Sequence, residues 1–218
     1  MLDSHPEINA DKEIHWTRDG IKRAASLLSR SYSNVVKKDN RYLNKEPGSL
    51  SVKGLRMLER LLEDENYYYI HIKRHPYDTL ISYAKTKWDI EYVGSTVAAL
   101  FQNNAKNFIE GYRYLRKNKP PNYYEVSYES LVREPEKTII KVCRFLDLDF
   151  DDAMLKHHKQ KHMVVDHYSD RQASKPIFKG SLSQYRRFLS GTEWRPNEKV
   201  IKLCDKMCKM LKYKPIKL

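Results

Sequence analysis

The strongest chemical signal in the chain is the stretch Tyr67–Tyr83, YYYIHIKRHPYDTLISY. Its first seven residues form an aromatic and β-branched run of the length of a buried strand. Pro76 then opens a helix at its first turn, where a missing N–H costs nothing. In parallel α/β sheets, ligands bind at C-terminal strand ends. A helix that starts there offers free N–H groups and the positive end of its dipole, which suits phosphate. Arg74 can fork onto phosphate oxygens. Ser82, two turns into the helix, adds a hydroxyl if the helix passes beside the ligand. Asp78, in the first turn, suits the dipole and is placed to tether a neighbouring loop. Taken alone, an R-H-P corner is more often a plain strand-to-helix turn with a solvated arginine.

The spacing R-x-P-x-D-x-x-x-S changes that weighting. It resembles the 3′-phosphate-binding motif of the sulfotransferases that use 3′-phosphoadenosine-5′-phosphosulfate (PAPS). Further segments resemble the same family, in the same order. NYYEVSYESLVREPEKTIIKVCRFLDLDF is similar to its strand, Y-E-x-L-v-x-x-P-e block and following helix. LNKEPGSL (Leu43–Leu50) resembles the N-K-D-P element of the tyrosylprotein branch and the D-K-x-P element of bacterial relatives. LDSHPEINADKEIHW resembles the turn after the first family helix, and SDRQASKPIFKGSLSQYRRF (Ser169–Phe188) the closing segment of the tyrosylprotein branch. In that segment Gln184 and Tyr185 stand where the branch has lysine and tryptophan.

The resemblance implies a single sulfotransferase-like domain over residues 1–218. Its fold would be P-loop-like three-layer α/β, with a central parallel sheet flanked by helices. The activity would be transfer of a sulfuryl group from PAPS, as co-substrate, to a hydroxyl acceptor: a carbohydrate, a peptide tyrosine or a small molecule. Glu13 would be the general base, with His15 and Glu7 as neighbours, and Lys45 the lysine near the bridging oxygen. Arg74 and Ser82 would hold the 3′-phosphate, Tyr128 would lie against the adenine, and Ser169 would face the nucleotide. Arg186 or Arg187 is the candidate for the charge missing at Gln184. No metal is needed. Family members begin with a strand and a P-x-S/R-S-G-T-T loop that cradles the 5′-phosphosulfate. The first residues here match the segment just past the helix after that loop, which predicts a domain without its first strand and loop. An alternative is therefore a non-catalytic remnant that keeps a 3′-phosphoadenosine half-site.

Secondary-structure patterning places these residues on alternating strands and helices, which argues α/β with a parallel sheet. Helices are expected near 20–31, 51–63, 76–87, 95–117, 134–147, 151–160 and 195–212. Strands are expected at 67–73 and 123–128, with a short extended piece near 41–44. The opening residues read as a turn approaching a helix, and 163–180 as irregular. In the tail, Val200, Leu203, Cys204, Met207 and Leu211 share one helical face, which predicts packing on the core.

Composition bounds the rest. With 16 Tyr, 6 Phe and 3 Trp in 218 residues, the chain is too aromatic to be disordered. Three cysteines without C-x-x-C spacing argue against a disulfide scaffold or zinc ribbon. His158 and His162 lie four apart without an apparent third ligand. No transmembrane run is visible, and a cytoplasmic protein is expected. The net charge of +13 favours polyanions: nucleic acid, anionic membrane or small multiply charged ligands. No nucleic-acid-binding motif accompanies it, so a nucleic-acid partner is not expected, and a basic nucleic-acid-binding protein is the less favoured further alternative.

Overall fold

The computed structural model describes residues 1–10, 41–43, 68–86, 97–118, 123–159, 175–191 and 196–216. The segments expected as helices near 20–31 and 51–63 lie outside them. So do Glu13, Lys45 and Ser169.

Two pairs of strands are described. β1 (Ile8–Ala10) runs parallel to β2 (Arg41–Leu43). β3 (Tyr69–Lys73) runs parallel to β4 (Tyr123–Ser127), in a register that sets Tyr69 opposite Tyr123 and Lys73 opposite Ser127. Parallel neighbours need a long crossover. Here the chain returns through α1 (Pro76–Thr86) and α2 (Val97–Asn118). After β4 come α3 (Tyr128–Arg133) and α4 (Pro135–Phe145), then α5 (Gln184–Gly191) and α6 (Glu198–Leu211).

The layers follow from side-chain periodicity. In α4, Ile139, Val142 and Cys143 recur at helical spacing and join Val126, Leu146, Leu148 and Met154 in one core, with Ile70 and Tyr124 packed against it. The other face of β3 presents His71 to Phe108 and Tyr112 of α2. The β3–β4 sheet therefore lies between helices, as the expected three-layer α/β arrangement requires. A second core joins Tyr77, Leu80 and Ile81 of α1 to Phe101, Ala105 and Ile109 of α2 and to Val200, Cys204, Met207 and Cys208 of α6. The tail helix does pack on the core. Asn197 caps its start through Val200 N–H, and Lys212, left-handed at φ 62°, ends it.

Several expectations need correction. Tyr128 is the first residue of a helix instead of the last of a strand, because Ser127 Oγ accepts Ser130 N–H and caps α3. The helix expected at 151–160 is instead two separate 3₁₀ turns, Asp152–Met154 and His157–Lys159. Asp151 takes Ala153 N–H at 2.7 Å, closing a tight turn that does not propagate. Ile8–Ala10 is a strand where a turn was expected, and α5 falls in a stretch where no helix was expected.

Candidate functional site

The in-register pairing of β3 and β4 does the first work of assembly. Arg74 is the first residue beyond β3 and Tyr128 the first beyond β4, so two residues distant in sequence leave the sheet side by side. The Arg74 guanidinium carbon lies 4.5 Å from the Tyr128 ring centroid, in cation–π contact. Arg74 Nη2 donates to the Ser181 carbonyl at 2.9 Å, and Tyr128 Oη donates to Ser181 Oγ at 3.0 Å. Arg74 Nε–H is buried and meets no acceptor among the described residues.

Ser181 belongs to a strap, residues 175–185, that is fixed at several points. His157 Nε2–H donates to the Lys175 carbonyl at 3.1 Å. Arg187 Nη2 donates to the Gly180 carbonyl at 2.7 Å. A Cβ at Gly180 would lie 2.1 Å from the Phe178 ring, which is exposed and free to swing aside. The firmest hold is Asp78, only 1% exposed. Its Oδ2 accepts Ser183 N–H at 2.8 Å and its Oδ1 accepts Tyr185 N–H at 3.0 Å. The loop tether expected of Asp78 is therefore present, and the loop is the strap.

The helix terminus behaves differently from expectation. A free N–H at the start of α1 was to receive an anion. Instead His75 N–H donates to Glu129 Oε1 at 2.8 Å. Glu129 Oε2 also accepts Ser127 Oγ–H at 2.8 Å and Tyr213 Oη–H at 2.6 Å. Burial alone would raise this carboxyl, but the bonds from Tyr213, the His75 amide and Ser127 outweigh it and hold Glu129 below the usual carboxylate range. The protein's own carboxylate thus takes one N–H of the terminus, next to the Arg74 side chain at the strand end.

Aromatic rings enclose His75. Tyr185 stacks on it with centroids 4.6 Å apart and Tyr213 lies at 5.2 Å. His75 Nε2–H donates to the Lys214 carbonyl at 3.3 Å. Burial leads in lowering the pKa of its imidazole. Arg186 lies 5.9 Å over the Tyr185 ring, and Arg187 bonds the Gly180 carbonyl.

Of the expected site residues, Arg74 and Tyr128 come together. Ser82 is half-buried in α1, four residues beyond Asp78 and so on the helix face that carries the strap contact. Glu13, Lys45 and Ser169 lie outside the described residues. Sequence reasoning missed Ser181, Glu129 and Tyr213. The first two fall inside motif blocks already singled out; Tyr213 carries no local signal. No cluster of metal ligands occurs among the described residues, and no described helix is long and apolar enough to cross a membrane.

Comparison with known proteins places this geometry. Residues 2–152 match the family described as the sulfotransferase family. A protein of Aquifex aeolicus (strain VF5), named only as uncharacterized, is 25% identical over 179 residues, covering 77% of this chain and 22% of that protein. A candidate protein-tyrosine sulfotransferase of Caenorhabditis briggsae is 35% identical over 66 residues, 30% of this chain and 23% of that protein. Among solved structures, the sulfotransferase domain from the Synechococcus PCC 7002 olefin synthase superposes with TM-score 0.58 at 20% identity, covering 82% of this chain and 63% of that one. The sulfotransferase domain from the curacin biosynthetic pathway gives 0.60 at 15% identity, covering 81% and 64%. The chain spans about a fifth of the curated relatives' length and just under two thirds of the solved domains.

Proposed function

The chain belongs to the sulfotransferase family, and on that premise we propose that it takes part in sulfuryl transfer from PAPS to a hydroxyl acceptor, with the Arg74 corner binding the 3′-phosphoadenosine half of the donor. The observation that carries this reading is Arg74 itself. A guanidinium has five N–H donors. One is committed to Ser181, and the buried Nε–H has no acceptor among the described residues. A buried donor without a partner costs about 1–3 kcal/mol, so an anion supplied by a ligand recovers what the fold leaves unmet. Tyr128 holds the guanidinium plane from one side and offers an aromatic edge beside an adenine. The +13 net charge attracts a multiply anionic donor.

In the chemical step, the acceptor oxygen attacks sulfur in line while the bond from sulfur to the bridging phosphate oxygen breaks. The acceptor proton passes to a base, and 3′-phosphoadenosine 5′-phosphate leaves. The work is positioning and charge stabilisation, as in phosphoryl transfer. Glu13 is proposed as the base and Lys45 as the cation that neutralises charge growing on the bridging oxygen. Ser82 and Ser169 are proposed as hydroxyl contacts to the donor. The reaction as proposed needs no metal.

The test is calorimetric. Arg74→Ala is expected to weaken binding of adenosine 3′,5′-bisphosphate by about 1.5–3 kcal/mol, the range for hydrogen bonds to a charged group. Binding of adenosine 5′-phosphate, which lacks the 3′-phosphate, is expected to be unchanged. Equal losses for the two nucleotides would remove the 3′-phosphate from this corner.

A further inference from the structure

Resting on the donor half-site just proposed, we infer that Glu129 and Tyr213 are positioning residues for Arg74, so that the C-terminal tail is part of the 3′-phosphate site without touching the ligand. The peptide that joins Arg74 to His75 is held by Glu129 Oε1 through the His75 N–H. That bond fixes the peptide plane, and with it the direction in which the Arg74 side chain leaves the strand. Tyr128, the neighbour of Glu129 in α3, meets the guanidinium face at 4.5 Å. One turn of backbone therefore grips Arg74 at both ends: Glu129 at its peptide and Tyr128 at its head.

Glu129 is held in turn. Its second oxygen accepts from Ser127 in the adjacent strand and from Tyr213, just past α6. The tail adds a second link, because the Lys214 carbonyl accepts from His75 Nε2. α6 is anchored to α1 by Tyr77 Oη, which donates to Asp205 Oδ1 at 2.8 Å. Val200, Cys204, Met207, Cys208 and Leu211 bury the rest of its inner face. Tyr213 is thus mounted on a rigid element, as a supporting group must be to fix a binding geometry. The tail residues that do this, from Val200 to Lys214, lie beyond the span 2–152 that matches the family.

A hydroxyl deletion tests this without opening a cavity. In the full chain, Tyr213→Phe is expected to weaken adenosine 3′,5′-bisphosphate about three- to thirty-fold, the range for residues acting through a coupled network. Adenosine 5′-phosphate affinity is expected to stay essentially unchanged, while the melting midpoint falls by a few degrees at most, as the loss of one hydrogen bond to a carboxylate requires. Glu129→Gln keeps an acceptor for the His75 N–H and is expected to retain most of the affinity, whereas Glu129→Ala loses it. Arg74→Ala is measured alongside. If Arg74→Ala is selective for the bisphosphate and Tyr213→Phe is not, the positioning role is overturned while the half-site stands. If Tyr213→Phe weakens both nucleotides equally, the tail is merely structural and the inference fails. If Arg74→Ala itself shows no selectivity, the half-site falls, and the positioning role with it.

Discussion

Asp78 gives the sharpest test of how the strap is held. Its carboxylate is fully buried at the start of α1 and takes both the Ser183 and the Tyr185 N–H. Asp78→Asn preserves size but leaves one carbonyl oxygen for two donors and turns an NH₂ group toward the other. One charge-assisted bond is lost, about 1.5–3 kcal/mol, and the displaced N–H is left buried. By the usual conversion this raises the opening equilibrium of the strap about tenfold to 150-fold. Hydrogen exchange reads those amides directly, because exchange follows local opening when closing is fast. The peptide spanning Ser183 and Tyr185 is expected to exchange faster by that factor in the variant. The α4 peptide, residues 135–145, belongs to the other core and is expected to keep its protection. If all segments accelerate together, Asp78 supports the whole fold and not the strap. If the strap amides are unchanged, the two hydrogen bonds do not hold it, and the reasoning from buried-acceptor energetics fails here.

Two other outcomes come from the buried polar groups. Burial lowers the His71 pKa from 6.5 to about 4, with Glu125 opposing and Lys73 assisting. The unfolded chain therefore takes up the proton first. The His71 contribution is intact above pH 6.5 and is lost as pH falls toward 4, up to about 3 kcal/mol. Denaturant melts across that window are expected to show the loss, and His71→Phe to flatten it; an equal slope in the variant would assign it elsewhere. Burial also raises the thiol pKa values of Cys204 and Cys208, the latter to about 12. Neither is expected to react with an aromatic disulfide reagent at neutral pH until the chain unfolds, and a fast thiol signal from peptides of α6 in the native protein would contradict that.

Legibility in the sequence depends on the range of each interaction. Pro76 and Pro135 mark helix starts through covalent geometry alone, and the apolar spacing of α4 and α6 reflects the helical period. Arg74 and Tyr128 each directly follow a recognisable strand, and the parallel pairing of β3 with β4 sets them side by side. β1 was not legible, since three residues carry too little alternation to distinguish a strand from a turn. α5 was hidden because its first turn lies against Asp78, a partner remote in sequence that sets where the strap stops and the helix begins. Glu129 was visible as a residue of a motif but not as the occupant of a helix terminus. Its role depends on His75 and Tyr213, from two other parts of the chain.

That hydrogen bond bears on how the proposed anion site would work. With an empty helix terminus, affinity would come from a dipole and free amides, an arrangement tolerant of small displacements. On the proposed reading, the carboxylate of Glu129 takes one amide of that terminus, so much of the attraction would come from Arg74 against a nearby negative charge. Such a site gains by order more than by field strength. A free arginine carries about 2 kcal/mol of rotamer entropy, and a ligand that must immobilise it loses that much in affinity. Arg74 is already stacked on Tyr128, bonded to Ser181 and fixed at its peptide by Glu129. The same carboxylate that weakens the field therefore removes much of the ordering cost. In the proposed site geometry would be set by that exchange as well: a point field accepts any anion, whereas a guanidinium locked in one plane would favour an oxygen arriving in that plane.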